Sequence, residues 1–278
     1  FDHLGLRICP DLDTVTYTLG EVSNREAGWG RAGESWNCME TLEQLGGETW
    51  FRLGDRDLAT HLFRRSLLDQ GLTLSEVTAT LCRRLGIRHP VFPMSDEPVG
   101  TQVNTPSGWL DFQRYFVEQQ CAPVISEIRF VGADKAKPSP NLEAALQDKN
   151  LGAVIICPSN PFLSIDPLLA IPGVREQLKQ LEVPVIAVSP VIGGKAVKGP
   201  TAKIMQELSL QVTPATVVAH YRDFLTGFVL DRKDAEQQGA LQQQLPVHLC
   251  NTLMISLEDR ITLAEECLSF AQQITDRS

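Results

Sequence analysis

No apolar run in this 278-residue chain approaches the roughly 18 to 20 residues that a helix needs to cross a bilayer. The longest, such as Ala153 to Cys157 and Pro184 to Val188, are far shorter, so a membrane span is not expected. Positive charge is also scarce, with 25 Lys and Arg against 34 Asp and Glu and a formal net charge of -9. Such a surface repels a phosphate backbone on average, which argues against a nucleic-acid partner and leaves a local nucleotide site open. The seven cysteines are odd in number, scattered from Cys9 to Cys267, and form no C-x-x-C pair or metal-ligand spacing. With no secretory leader pattern at the start, they read as reduced thiols of a cytoplasmic protein. Internal repeats and low-complexity tracts are missing too. So are H-E-x-x-H, G-x-S-x-G and Walker motifs, which removes weight from hydrolase readings.

What is present is ample apolar material, 43% of the residues, arranged for an α/β fold. Helical spacing shows at Trp36, Met39 and Leu42 and at Leu58, Leu62 and Leu67, the latter after the charged turn Gly54-Asp55-Arg56-Asp57. Thr73-Leu74-Ser75-Glu76 is a capping box that predicts a helix running to Gly86. Short alternating segments at Thr101 to Thr105 and Glu127 to Val131 surround an aromatic stretch from Trp109 to Phe116, a small α/β elaboration over about 87–135. From Leu151 onward short apolar runs alternate with helices: Ala153 to Cys157, a helix over Pro167 to Leu181, Val185 to Val188, helices at Thr201 to Leu208 and Pro214 to Phe224, a strand at Val247 to Leu249, and a last helix over Leu257 to Ile274. That alternation is the mark of βαβ units, so the expected class is α/β, doubly wound and Rossmann-like with a mainly parallel sheet, in one domain.

In an open parallel sheet ligands bind beyond the carboxyl ends of the strands, which directs attention to four polar stretches. After Leu6 to Ile8 comes Cys9-Pro10-Asp11-Leu12-Asp13-Thr14, where two carboxylates at alternate positions of an extended segment face one way and suit a divalent cation or a hydroxyl-bearing ligand; Asp13 as a cap of the next helix is the plainer alternative. In Leu53-Gly54-Asp55-Arg56-Asp57, Arg56 either holds an anion or joins a local ion-pair network with its flanking carboxylates, the second being favoured, and His61 one turn on reads as structural. Pro158-Ser159-Asn160-Pro161 offers a hydroxyl, an amide and backbone N–H groups at a strand mouth, for a phosphate or a base, though a plain strand-to-helix turn uses the same residues. Ser189-Pro190-Val191-Ile192-Gly193-Gly194-Lys195, continuing to Lys198 and Lys203, has the physical logic of a phosphate cradle. Carboxylate, arginine, small polar loops and lysine together suit phosphoryl-group chemistry assisted by a cation.

At these same residues the sequence resembles the 2-phospho-L-lactate transferase family, which acts in making the deazaflavin coenzyme factor 420. The matching pieces are Gly5 to Leu19, Gly28-Trp29-Gly30, Leu53 to His61, Pro93-Met94-Ser95-Asp96, Pro158 to Pro161 and Val188 to Gly194, collinear from end to end. The resemblance implies a Mg²⁺-assisted transfer of a phosphorylated three-carbon acid, phospholactyl or phosphoenolpyruvyl, from a guanosine diphosphate-linked donor to the ribityl hydroxyl of 7,8-didemethyl-8-hydroxy-5-deazariboflavin, with release of GMP. It implies Asp13 and Arg56 on the deazaflavin, Asp11 and Asp13 as catalytic and metal-positioning carboxylates, and Ser159, Asn160, Ser189, Gly193 and Lys198 at the nucleotide. It also implies a possible homodimer and, upstream of Phe1, a Gly-rich strand-turn-helix and an acidic turn, so that this chain is expected to be an inactive fragment missing part of the metal site. Asn251 departs from the family, whose members commonly carry Asp there. The competing reading is a non-catalytic nucleotide-sugar-binding regulator, as in the related gluconeogenesis-factor proteins.

Overall fold

The computed structural model describes residues 1–196 and 199–277, and the chain forms two compact units. The first comprises residues 1–100, 110–122 and 131–143; the second comprises 101–109, 123–130 and 144–278.

In the first unit, β1 (Asp2–His3) and β2 (Leu6–Arg7) form a short antiparallel hairpin, turned by Leu4 and Gly5 at positive φ. The apolar run Leu6 to Ile8 is therefore no strand of a parallel sheet. Four helices follow: α1 (Pro10–Leu19), α2 (Asn37–Gln44), α3 (Asp55–Asp69) and α4 (Leu74–Arg84). Pro10 at the first helical position presets φ and gives up only an N–H that has no helical partner there. The capping box of α4 forms as expected, the Thr73 hydroxyl accepting from Glu76 N–H and the Glu76 carboxylate from Thr73 N–H, and Gly86 at φ +71° follows the last turn. Leu6, Ile8, Met39 and Leu53 make the buried apolar cluster, with Trp36, Phe51 and Leu58 against it.

Next in chain order come β3 (Gly100–Thr105), β4 (Gly108–Asp111) and β5 (Glu127–Val131), a three-stranded sheet in the order β4-β3-β5, with a π-helical turn at Arg114–Glu118. The helix α5 (Pro140–Leu146) follows them.

The second unit is the expected alternation: β6 (Val154–Ile156), α6 (Asp166–Leu169), α7 (Val174–Gln180), β7 (Val185–Val188), the hairpin β8 (Val191–Ile192) and β9 (Lys195–Ala196), α8 (Thr201–Glu207), α9 (Pro214–Tyr221), β10 (Gly227–Asp231), α10 (Gln238–Gln242), β11 (Val247–Cys250) and α11 (Leu257–Thr275). Its four-stranded sheet is all parallel in the order β11-β10-β7-β6, with Val154 opposite Val185, Gly227 opposite Ile186 and Phe228 opposite Val247. The α/β class is as expected from the sequence. Every residue of β7 and β10 is buried, as befits strands covered on both faces. The strand β10 was not anticipated, because Gly227 and Asp231 frame only three apolar residues. Gly227 is needed there: a Cβ would lie 2.6 Å from Ile274 Cδ1, so α11 packs directly on the strand backbone. The single helix expected over Pro167 to Leu181 is broken. A π-turn at Pro161–Ile165 leads into α6, and Gly173 at φ +88° re-aims the chain into α7. Pro172 cannot donate an N–H, so the helical ladder stops before it.

Candidate functional site

The sequence placed Asp11 and Asp13 on one face of an extended segment. They instead lie in the first turn and a half of α1, where positions two apart point to different sides of the helix. Asp13 turns inward and is buried; Asp11 stays exposed. One Asp13 oxygen pairs with Arg64, and the other accepts from Cys9 N–H at 3.3 Å, so the helix-capping alternative holds in part. The structure thus corrects the shared cation face. With Asp13 oxygens occupied by a guanidinium and a backbone donor, the two carboxylates do not fit as joint Mg²⁺ ligands. Among the described residues no group of three or more His, Cys, Asp or Glu is placed to hold a metal. Although solvent reaches Asp11, the protein packed around it and the Asp13 charge push its carboxyl above the ordinary value, the condition in which a carboxylate accepts a proton near neutral pH more readily.

The turn Gly54-Asp55-Arg56-Asp57 starts α3, and the expected local ion pair of Arg56 with its neighbours does not form. Asp55 is turned to α2, accepting from Ser35 Oγ at 2.6 Å and from Asn37 and Cys38 N–H at 3.2 and 3.1 Å. In return Glu34 caps α3, accepting Arg56 N–H at 2.7 Å and Asp57 N–H at 2.9 Å. Gly54 permits this approach, because a Cβ there would overlap the Glu34 carboxylate. Anionic groups at both helix N-termini also complement the helix dipoles. Arg56 is exposed, has no carboxylate partner among the described residues, and reaches only the Ala32 carbonyl at 3.4 Å.

The buried face of α3 is polar. Thr60, His61 and Arg64 point inward while Leu62 is 53% exposed, the reverse of what the leucine spacing implies. Arg64 is 2% exposed; it pairs with Asp13 and donates to the Arg7 carbonyl at 3.0 Å and to His61 Nδ1 at 2.9 Å. A guanidinium can only donate, so His61 is the tautomer with its proton on Nε2. That Nε2 lies 3.3 Å from Asp57 Oδ1, which also accepts the Tyr17 hydroxyl at 2.6 Å. Burial alone would raise the Asp57 carboxyl, but His61, Tyr17 and Arg64 together bring it below the ordinary carboxylate value. Burial and the two nearby carboxylates push the Tyr17 phenol far up, so it stays a donor. Arg31 closes the array, 5.5 Å above the Tyr17 ring and donating to Thr60 Oγ1 at 3.2 Å.

In the second unit the carboxyl ends of the four parallel strands carry the other residues. Asn160, just past β6, caps the π-turn by accepting Phe162 and Leu163 N–H at 3.0 and 3.2 Å, and its buried amide nitrogen has no partner among the described residues. The amide oxygen thus serves the turn, as the plain strand-to-helix reading expects. Ser189, past β7, is buried and spends its hydroxyl on the Val191 carbonyl at 2.8 Å. Gly193 and Gly194, at φ +58° and +69°, form the two-residue turn of the β8–β9 hairpin. They do not make a cradle, since Gly193 N–H is given to Asp234 at 2.8 Å. Lys198 lies outside the described residues. Sequence reading missed two buried carboxylates at this edge. Asp231 ends β10 and accepts from Lys233 N–H at 2.9 Å and from Thr252 N–H and Oγ1 at 2.8 and 3.0 Å, tying β10 to the residues after β11. These bonds outweigh burial and lower its pKa. Asp234 takes the hairpin tip. Only the run Asp231-Arg232-Lys233-Asp234, directly after an apolar triplet, signalled either one.

The family model for "2-phospho-L-lactate transferase CofD" matches residues 1–255. The chain belongs to the CofD family. A phosphoenolpyruvate transferase of Kitasatospora aureofaciens is 38% identical over 280 residues, covering 98% of this chain and 87% of that protein. The 2-phospho-L-lactate transferases of Methanosarcina mazei and Methanosarcina acetivorans are 37% and 39% identical, each over 94% of this chain and 85% and 84% of theirs. A crystal structure of a Bacillus halodurans protein of the UPF0052 family aligns with a TM-score of 0.48 at 14% identity, over 90% of this chain and 73% of that one. CofD membership makes the chain an enzyme of the 2-phospho-L-lactate or phosphoenolpyruvate transferase type, as the resemblance implied. No helix among the described residues is long and apolar enough to cross a membrane.

The carboxylates set an acid limit on this CofD chain. Asp57, Asp231 and Asp223, the last held down by Arg175 and Lys179, all have folded pKa values below the ordinary one of about 4. Their contribution to stability is complete above that value and is lost as pH falls through the lower folded values. The thermal midpoint is expected to be level between pH 7 and 5 and to drop steeply below about pH 4. A midpoint unchanged down to pH 2.5 would show that these bonds add no stability.

Proposed function

We propose that this chain transfers a phosphorylated three-carbon acid from a guanosine diphosphate-linked donor to the ribityl hydroxyl of 7,8-didemethyl-8-hydroxy-5-deazariboflavin, releasing GMP. The transferase names of the relatives support the reaction class. One observation carries the acceptor side: Asp11 and Arg56 are the exposed first-turn residues of two helices whose neighbouring carboxylates, Asp13 and Asp57, are both turned inward. The exposed pair is thus the part of each motif left free for a ligand. Arg56 supplies a cation with no carboxylate partner among the described residues, and Asp11 an exposed carboxylate that the protein packed around it and the Asp13 charge hold above its ordinary pKa. In the reaction the ribityl oxygen attacks the phosphorus that bears the three-carbon acid, its proton passes to Asp11, and the bond from that phosphorus to the GMP oxygen breaks. The nucleotide is assigned to the carboxyl edge of the second unit's sheet, with the Asn160 amide nitrogen as its donor and Ser159 beside it. The seven free thiols support a reducing compartment such as the cytoplasm.

The test is turnover of deazaflavin by the full-length protein with phospholactyl and phosphoenolpyruvyl donors in parallel. Arg56→Ala is expected to weaken the acceptor and not the donor. Asn160→Ala is expected to weaken GDP binding by about 1 to 3 kcal/mol, the cost of a lost buried polar partner. No turnover with either donor would overturn the function, and unchanged GDP affinity by calorimetry would return the Asn160 loop to a purely structural role.

A further inference from the structure

The polar array beneath α1 and α3 is an unusual way to build a core. Arg64 is 2% exposed and His61 1% exposed, and with Asp13, Asp57, Tyr17 and Arg31 they occupy space that leucine-sized residues would fill. Two carboxylates and two guanidiniums balance in charge. A buried ion pair contributes little net stability compared with apolar side chains of the same volume, because both charges must leave water. What it supplies is direction. The guanidinium of Arg64 bonds three separate segments: Asp13 in the first half of α1, the Arg7 carbonyl at the end of β2, and His61 one turn back on its own helix. By donating to His61 Nδ1 it leaves the His61 proton on Nε2, facing Asp57 at 3.3 Å, and Tyr17 reaches the same carboxylate oxygen from α1 at 2.6 Å. Arg64 therefore fixes Asp13 directly, while Asp57, close to the His61 ring without a hydrogen bond to it, is held by the Tyr17 hydroxyl. Asp13 is two residues from Asp11, and Asp57 is adjacent to Arg56.

We infer that Arg64 is a positioning residue for the acceptor side. Its fork sets the first turn of α1 against the first turn of α3, and so sets Asp11 relative to Arg56. This rests on the acceptor reading given above. The guanidinium plane is the reason for arginine at this place, since lysine offers a point charge that cannot bond Asp13, a carbonyl and an imidazole in one fixed geometry.

The experiment compares wild type, Arg64→Lys and Tyr17→Phe in the full-length protein, measuring KM for deazaflavin, KM for the donor, kcat, and donor binding by calorimetry. Arg64→Lys is expected to raise the deazaflavin KM on the order of tenfold, the equivalent of one directional hydrogen bond, with donor KM and donor binding unchanged. Tyr17→Phe removes one hydroxyl with little change of volume and is expected to move the same parameter in the same direction by less. Retained donor binding shows that a variant is folded. Acceptor and donor KM values that rise together, or a deazaflavin KM unchanged in a folded Arg64→Lys, would overturn the inference; Tyr17→Phe decides the matter should Arg64→Lys fail to fold. A wild type that does not turn over deazaflavin at all would instead sink the function on which it rests.

Discussion

Asp13→Ala is expected to lower the unfolding free energy by about 3 to 5 kcal/mol, the usual result of removing one partner of a buried ion pair. The size comes from what is left behind. Arg64 would keep a full charge at 2% exposure with only the Arg7 carbonyl and the His61 nitrogen to solvate it, and burial would then act on its pKa without the Asp13 charge that now holds it above the ordinary value. Cys9 N–H would lose its side-chain acceptor as well. The double variant Asp13→Leu with Arg64→Met is expected to regain part of the loss, because no charge then remains buried. Urea unfolding of the three proteins checks both statements. A single variant within about 1 kcal/mol of wild type would mean that Arg64 reaches water when its partner is gone. The same pair explains why loss of activity in an Asp13 variant does not by itself place Asp13 on a ligand.

Phe270→Ala is expected to cost a similar amount, about 3 to 5 kcal/mol, by opening a cavity that cannot collapse. Phe270 lies on α11 in the buried cluster of Ile186, Val188, Val229, Cys250, Leu263, Cys267 and Ala271, so its ring closes the sheet of the second unit from one face. The helix already sits as close as the backbone allows, because Gly227 presents no side chain to Phe270 and Ile274. It cannot move inward to fill the space. Thermal and urea unfolding would show the effect, and a loss below about 1 kcal/mol would indicate that α11 shifts or that His248, stacked on the ring, fills the void.

The acceptor-side motifs show how a local pattern misleads where a core is polar. The spacing of Leu58, Leu62 and Leu67 marks a helix correctly, yet the buried stripe of α3 is Thr60, His61 and Arg64. Hydrophobic periodicity cannot find such a stripe, because its residues are buried by pairing with one another and not by their own transfer free energy. The only signal was residue type at i, i+4 and i+7, Asp57, His61 and Arg64, a helical spacing of groups able to bond each other. In the same way Gly193-Gly194-Lys195 carries identical letters whether it cradles a phosphate or turns a hairpin. The choice fell to Asp234, 41 residues on, which takes the Gly193 N–H.

By itself the sequence determined the α/β class, the strand Val185–Val188, a strand over Val247 to Leu249 that in the fold runs on to Cys250, the capping box at Thr73, the bounds of β5, and the family. These rest on short-range rules: runs of apolar residues too short for helices, caps three residues apart, and motifs read as strings. Tertiary structure alone decided which of two neighbouring carboxylates faces solvent, that Asp55 serves α2 while Glu34 serves α3, and that Arg56 is left without a carboxylate partner. The physical reason is that a charged side chain in a fold goes where its hydrogen bonds are completed, and for Asp13, Asp55 and Asp57 the completing groups come from residues 51, 20 and 40 positions away.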